Sequence, residues 1–313
     1  MKIYITIICC ILFNTILGQN YKPTVNLKIG DQFFYEKEHR FNVWENDEMM
    51  VSKELIFPYE LEILDINDST YTIKFYTDNF NLIKKILYRI EIVDLTDNEI
   101  KDHNLPSQGI IFQITKQGDY KTLENIDEVK NNIINQLKYI ANIVSKQSVD
   151  SSYKENVYEL LNEMIKDADA INWLLSPLTE IPFNFGHEFI LGEKKMNETE
   201  RSFLNFNYPC DIINTITLSE EDPQILQIQE RSVATDSSLQ KFSNRIIQNI
   251  MESEAEMSLV EGALKINVDF KIDLKSGLDK LVKEQTLIDL VYDELSISIE
   301  ELEVLRLKDT KTK

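Results

Sequence analysis

The stretch "LKINVDFKIDLK", residues 264–275, decides the fold. Leu264, Ile266, Val268, Phe270, Ile272 and Leu274 alternate strictly with polar residues. That period of two gives one face of a strand to a core and the other to water, as in an antiparallel sheet. Ser276-Gly277 then turns the chain back into "LDKLVKEQTLIDL" (278–290), and "ELSISIEELEVLRL" (294–307) follows as a third strand of a meander.

Outward from this meander, residues 183–233 also read as strands. So do residues 24–124, where "DQFFYEKEHRFNVW" (31–44), "LIFPYELEILDI" (55–66), "STYTIKFYT" (69–77) and "IKKILYRIEIVDL" (83–95) are rich in β-branched and aromatic residues. Asn67-Asp68 separates two of them, and Gln117-Gly118-Asp119 supplies a tight turn inside "GIIFQITKQGDYKTL" (109–123).

Between the two strand regions the period changes. Ile126, Val129, Ile133, Ile134, Leu137, Ile140, Ala141 and Val144 recur at three- and four-residue steps, which predicts an amphipathic helix opened by a capping-box-like Asn125 and Glu128. Val157, Leu160, Leu161, Met164, Ile165, Ala168 and Ile171 repeat the pattern up to Ser176-Pro177, where proline disfavours further helix. The short connection around Ser148 makes the pair a helical hairpin over about 126–175. Asp236 and Ser237 can cap a third helix, about 237–252, carrying Leu239, Phe242, Ile246 and Ile250.

Two openings look alike, "LKIGDQFFYEKE" at 27–38 and "FNFGHEFILGEK" at 183–194. About 150 residues also separate "FPYELEILDINDSTYTIKFY" (57–76) from "YPCDIINTITLSEEDPQILQI" (208–228), each an aromatic-Pro step leading into a hairpin with an acidic tip. The expected class is therefore α+β: two related antiparallel β layers, as a curved sheet or half-barrel, with the helical hairpin and the third helix. The expected divisions are a signal peptide (1–18), a β region (19–124), the helical hairpin (125–177) and a β-rich region with one helix (178–313), joined as one compact unit or two tight lobes.

The N-terminus begins with Lys2 and an uncharged run from Ile3 to Leu17. About 15 residues make a helix of roughly 22 Å, too short for a bilayer core but suited to a secretory signal peptide. Gly18 is small enough to precede the cleaved bond, so Gln19 is the expected mature start and no membrane span remains. Cys9 and Cys10 sit mid-run rather than after it, which argues against a lipid-bearing cysteine and for their loss with the leader. Beyond them the sequence holds one cysteine, Cys210, expected as a small buried hydrophobe in a secreted or periplasmic protein stabilised by its core instead of crosslinks.

The chain carries 53 acidic and 33 basic residues, net −20. Such a balance repels phosphate backbones, which excludes nucleic acid as a natural partner. The three histidines, His39, His103 and His187, show no metal-ligand spacing, and each is expected as a lone strand or surface residue. "DINDST" (65–70) resembles the start of a calcium loop but lacks glycine at its sixth place, and a hairpin turn explains it better. Asn67 and Asn197 head glycosylation sequons that matter only in a eukaryotic secretory route. Neither a G-x-S-x-G elbow nor a phosphate-binding glycine loop occurs. No catalytic, cofactor or metal residue is expected.

Gly30-Asp31-Gln32-Phe33, "IFQITKQGDYKTLENIDEV" (111–129) and Asp273-Leu274-Lys275-Ser276-Gly277 carry a resemblance. With the leader, they resemble a family of exported β-rich proteins of Gram-negative bacteria that have a Gly-Asp-x-aromatic opening and no assigned activity. The second opening, Gly186-His187-Glu188-Phe189, departs from the Gly-Asp-x-Trp common there. The resemblance implies an exported protein and no catalytic residue.

Two functional readings follow, both non-enzymatic. In the first, a curved sheet binds a hydrophobic ligand or lipid, with the helices as a lid. In the second, a packed core supports a structural or protein-interaction module of the cell envelope; a hydrolase ranks third. What discriminates the first two is whether Phe33, Tyr35, Phe75 and Phe112 fill the core or line a hole.

Overall fold

The computed structural model describes residues 20–23, 27–76, 109–146, 159, 187–203, 206–235, 239–240, 243, 259–293 and 295–312. Of the described residues, 67% lie in strands. In chain order these are β1 (Asn20–Tyr21), β2 (Gln32–Glu45), β3 (Glu48–Ile66), β4 (Thr70–Tyr76), β5 (Ile110–Thr115), β6 (Tyr120–Leu123), helix α1 (Ile126–Lys146), β7 (Phe189–Ile190), β8 (Gly192–Phe203), β9 (Phe206–Leu218), β10 (Ile225–Ala234), β11 (Glu261–Asp273), β12 (Asp279–Val291) and β13 (Ser296–Lys311).

The α+β expectation, with two β layers, a helical hairpin and a third helix, is thereby corrected. The described chain is mostly β, with one 11-stranded sheet in the order β6-β5-β4-β3-β2-β13-β12-β11-β10-β9-β8 and a small β1-β7 pair. Two features of the strands defeat the layered reading. The segment before "LIFPY" continues the strand, so β3 runs 19 residues. β2 is also hydrogen-bonded to the last strand, β13, which joins the early and late strands in one sheet. The first arm of the helical hairpin is present as α1. The second arm and the third helix lie outside the described residues, apart from residues 159, 239–240 and 243, which are helical. The strand read over 83–95 lies outside them too.

The chain divides into two compact units, with β2, β3 and β13 contributing residues to both. One unit comprises residues 26–36, 57–183 and 307–313. Its core follows from alternation: Phe57, Tyr59, Leu61 and Ile63 on β3 are buried, as are Ile73 and Phe75 on β4 and Ile110, Phe112 and Ile114 on β5. The register aligns them into rows, Leu61 opposite Phe75 and Phe75 opposite Ile110, then Ile63 opposite Ile73 and Ile73 opposite Phe112. Tyr35 stacks on Tyr59 at 5.5 Å between ring centroids, and Tyr59 meets Phe75 at 4.8 Å. Val129, Ile133, Leu137, Ile140 and Ala141 form the buried stripe of α1, at the spacing the sequence predicts. Asn125 does not cap that helix with its side chain. Its Oδ1 accepts from Ile111 N–H and its Nδ2 donates to Gly109 C=O, so the amide ties the helix start to β5.

The Gly-Asp-x-aromatic opening has a local cause in this unit. Gly30 holds φ at 86°, a left-handed value that suits glycine. Asp31 closes the turn by accepting Lys28 N–H on Oδ2 at 2.8 Å, and Phe33 then enters the core.

The other unit comprises residues 1–25, 37–56 and 184–306. Its core gathers Val43, Tyr208, Cys210, Ile212, Leu264, Ile266, Val268, Ile288, Leu290, Tyr292, Ile297 and Ile299. Here β11 keeps the alternation of its sequence, with Leu264, Ile266, Val268 and Ile272 buried. The β2–β3 turn is Asn46-Asp47, both at positive φ, as a two-residue hairpin requires. At the β11–β12 turn, Asp273 Oδ1 accepts from Lys275 and Ser276 N–H at 2.9 Å each, and Gly277 takes φ 69°.

Candidate functional site, a row of acids across one face

Alternation on β13 places Ile297 and Ile299 toward the core, but the next two residues on that face are Glu301 and Glu303, before apolar Leu305 returns. The same break occurs on β12, where Leu290 and Ile288 are followed by Thr286 and Glu284, and then Val282. Register shows that these breaks coincide. Lys194 lies opposite Asn214, Asn214 opposite Glu230, Glu230 opposite Val268, Val268 opposite Glu284, and Glu284 opposite Glu303. Directly opposed residues share a face, so this is one rung across β8 to β13, polar at every strand but β11, where buried Val268 sits.

Its neighbour on one side is apolar throughout: Ile216, Ile228, Phe270, Val282 and Leu305. On the other side run Ile212, Ser232, Ile266, Thr286 and Glu301. Glu284 and Glu303, half-buried and directly opposed, would repel one another without cations nearby. β2 supplies them. Lys37 Nζ lies 2.8 Å from Glu303 Oε2, while His39 Nε2 lies 2.8 Å from Glu301 Oε1 and 4.0 Å from Glu303 Oε1. In the same rung Asn214 Oδ1 is buried and meets no hydrogen-bond partner among the described residues.

On the opposite face of β2 and β13 a second network forms. Buried Glu38 accepts from Arg306 Nη1 at 2.7 Å and pairs with Arg40, which also reaches Glu54 at 3.1 Å. The Arg306 hydrogen bond holds the Glu38 carboxyl below its ordinary range; burial opposes this and the Arg40 charge reinforces it.

The residues singled out from sequence are placed as follows. Gly18, Gln19 and His103 lie outside the described residues. His187 is exposed at the start of the second opening. Cys210 is fully buried in the core and belongs to no disulfide. "DINDST" forms a hairpin turn in which Asn67 Oδ1 accepts from Ser69 and Thr70 N–H at 3.0 and 2.8 Å. His39, read as a lone histidine, meets two glutamates 262 and 264 positions away. No spacing rule reveals such a meeting. The signal that could have flagged it is the broken alternation in "SISIEELEVL". His39, Glu301 and Glu303 place their ligand-capable atoms within 4.8 Å of one another. Among the described residues around the rung, the chemistry on offer is charge and metal ligation.

No family model matches the chain, and no curated protein matches it. Among solved structures, it aligns with Ail, the attachment invasion locus protein of Yersinia pestis, alone and in complex with the heparin analogue sucrose octasulfate. Identity is 4% and 5%, the alignments cover 88% of this chain and 97% of that one, and the TM-score is 0.15 in both. A likeness of that size assigns neither fold nor function.

Proposed function

We propose that the chain is an exported, non-enzymatic protein of the cell envelope, secreted or periplasmic once its leader is removed, that works as a structural or interaction module on packed cores. The observation that carries this over the lipid-carrier reading is the aromatic core. Phe33, Tyr35, Phe75 and Phe112 are all at most 3% exposed, and Tyr35, Tyr59 and Phe75 fill one another's space by ring contact. Strand aromatics that line an acyl-chain cavity would face the ligand instead of each other. The acidic rung gives the module a charged feature of its own, suited to cationic partners.

The test is mass spectrometry of the protein purified without detergent from a Gram-negative host, intact and after organic extraction. The expected result is a mass beginning at Gln19 and an extract without stoichiometric lipid. One lipid per chain would overturn the packed-module reading.

A further inference from the structure

We propose that His39, Glu301 and Glu303 form a binding site for a divalent first-row transition metal of the zinc class, which stands independently of the envelope reading. The donor set comes from β2 and β13, which are hydrogen-bonded neighbours in the sheet. His39 Nε2 lies 2.8 Å from Glu301 Oε1 and 4.0 Å from Glu303 Oε1, and the three residues each offer a ligand atom within 4.8 Å of the others. Ligands of one tetrahedral zinc, each ~2.0–2.2 Å from the ion, sit about 3.4 Å apart. Small side-chain rotations therefore bring all three atoms to one ion without moving the backbone.

Lys37 supports this geometry. It holds Glu303 through Oε2, which leaves Oε1 turned toward His39, as the outer partner of a ligating carboxylate does. One neutral imidazole and two carboxylates balance the two charges of the ion. Its imidazole favours zinc over calcium and magnesium, which prefer all-oxygen sites. Without metal, the His39 ring nitrogen bonds to Glu301 directly. Ligation requires the imidazole proton to sit on Nδ1, so metal and the His39–Glu301 hydrogen bond compete for the same nitrogen. Glu284, opposite Glu303 on β12, adds negative charge beside the set and attracts a cation further.

The test is calorimetric titration of the chelator-treated mature chain with Zn²⁺ alone. One ion per chain is expected, with Ca²⁺ and Mg²⁺ giving no saturable heat, and His39→Gln and Glu301→Gln each weakening Zn²⁺ at least tenfold. A readout on the unaltered protein guards against variants that fail to fold. With three histidines in the sequence, imidazole ¹⁵N resonances can be followed individually, and Zn²⁺ is expected to shift Nε2 of His39. Absence of saturable Zn²⁺ binding, or a shift confined to His103 or His187, overturns the proposal.

Discussion

Glu284 on β12 lies directly opposite Glu303 on β13, two like charges on one face of an antiparallel pair. Such opposition destabilises a sheet, and Lys37 at 2.8 Å from Glu303 is a cation that offsets it. Lys37→Met is expected to cost about 0.5–1 kcal/mol, because both partners keep some contact with water. The loss should shrink in high salt, where exposed charges are screened. Urea midpoints at two ionic strengths measure it; an unchanged midpoint at low salt would remove Lys37 from the account.

Glu38 is a different case, being buried between Arg306 and Arg40. Glu38→Gln keeps the shape and removes the charge that both arginines bind. The expected destabilisation is about 2–3 kcal/mol, since a charged hydrogen bond is lost with cations left beside it. Equilibrium denaturation at neutral pH checks the value.

Acid should unfold the protein through the same group and through Asp273. Burial would raise the Asp273 carboxyl, but the Lys280 hydrogen bond and the N–H groups of Ser276 and Lys275 bring it below its ordinary value. Glu38 is also lowered. Both groups therefore bind protons more weakly folded than unfolded, so their stabilisation is fully present above the ordinary carboxylate range near about pH 4 and is lost as pH falls through the lowered values. Denaturation midpoints measured from about pH 6 down to about pH 3 should fall steeply at the acid end. Asp273→Asn should flatten that fall. A pH profile identical to that of the unaltered chain would refute the assignment.

Phe112, 1% exposed, pairs with Ile73 across β4 and β5. Phe112→Ala is expected to cost about 3–5 kcal/mol through lost burial and the cavity left behind. The variant should also gain binding of a hydrophobic dye that the unaltered protein does not bind.

At the β11–β12 turn, Gly277 sits at φ 69°. Gly277→Val forces a branched side chain into the left-handed region and is expected to cost about 1–3 kcal/mol. Thermal melting compared with Ser276→Val, a neighbour without that dihedral, separates backbone strain from loss of polarity.

Local structure was legible in the sequence where one period dominated. Leu264 to Ile272 alternate in β11 as they alternate in the chain, and the Val129 to Ala141 stripe of α1 is the 3.6-residue period made solid. What stayed hidden were relations set by register. No local pattern indicates that β2 pairs with β13, and hence that the early and late strands share one sheet. The Asn125 side chain reads as a helix cap but serves β5, because a strand N–H 14 positions earlier competes for it. His39 and Glu301 carry no motif between them, and only the folded ladder brings them within 2.8 Å.

Cys210 lies in the core with no exposed surface, and no other cysteine follows Cys10 in the sequence. With the leader removed as proposed, no second cysteine remains in the sequence to form a bridge with it. The same thiol is a built-in clock: a water-soluble thiol reagent reaches it only when that region opens, so the labelling rate reads how often β9 is released from its neighbours.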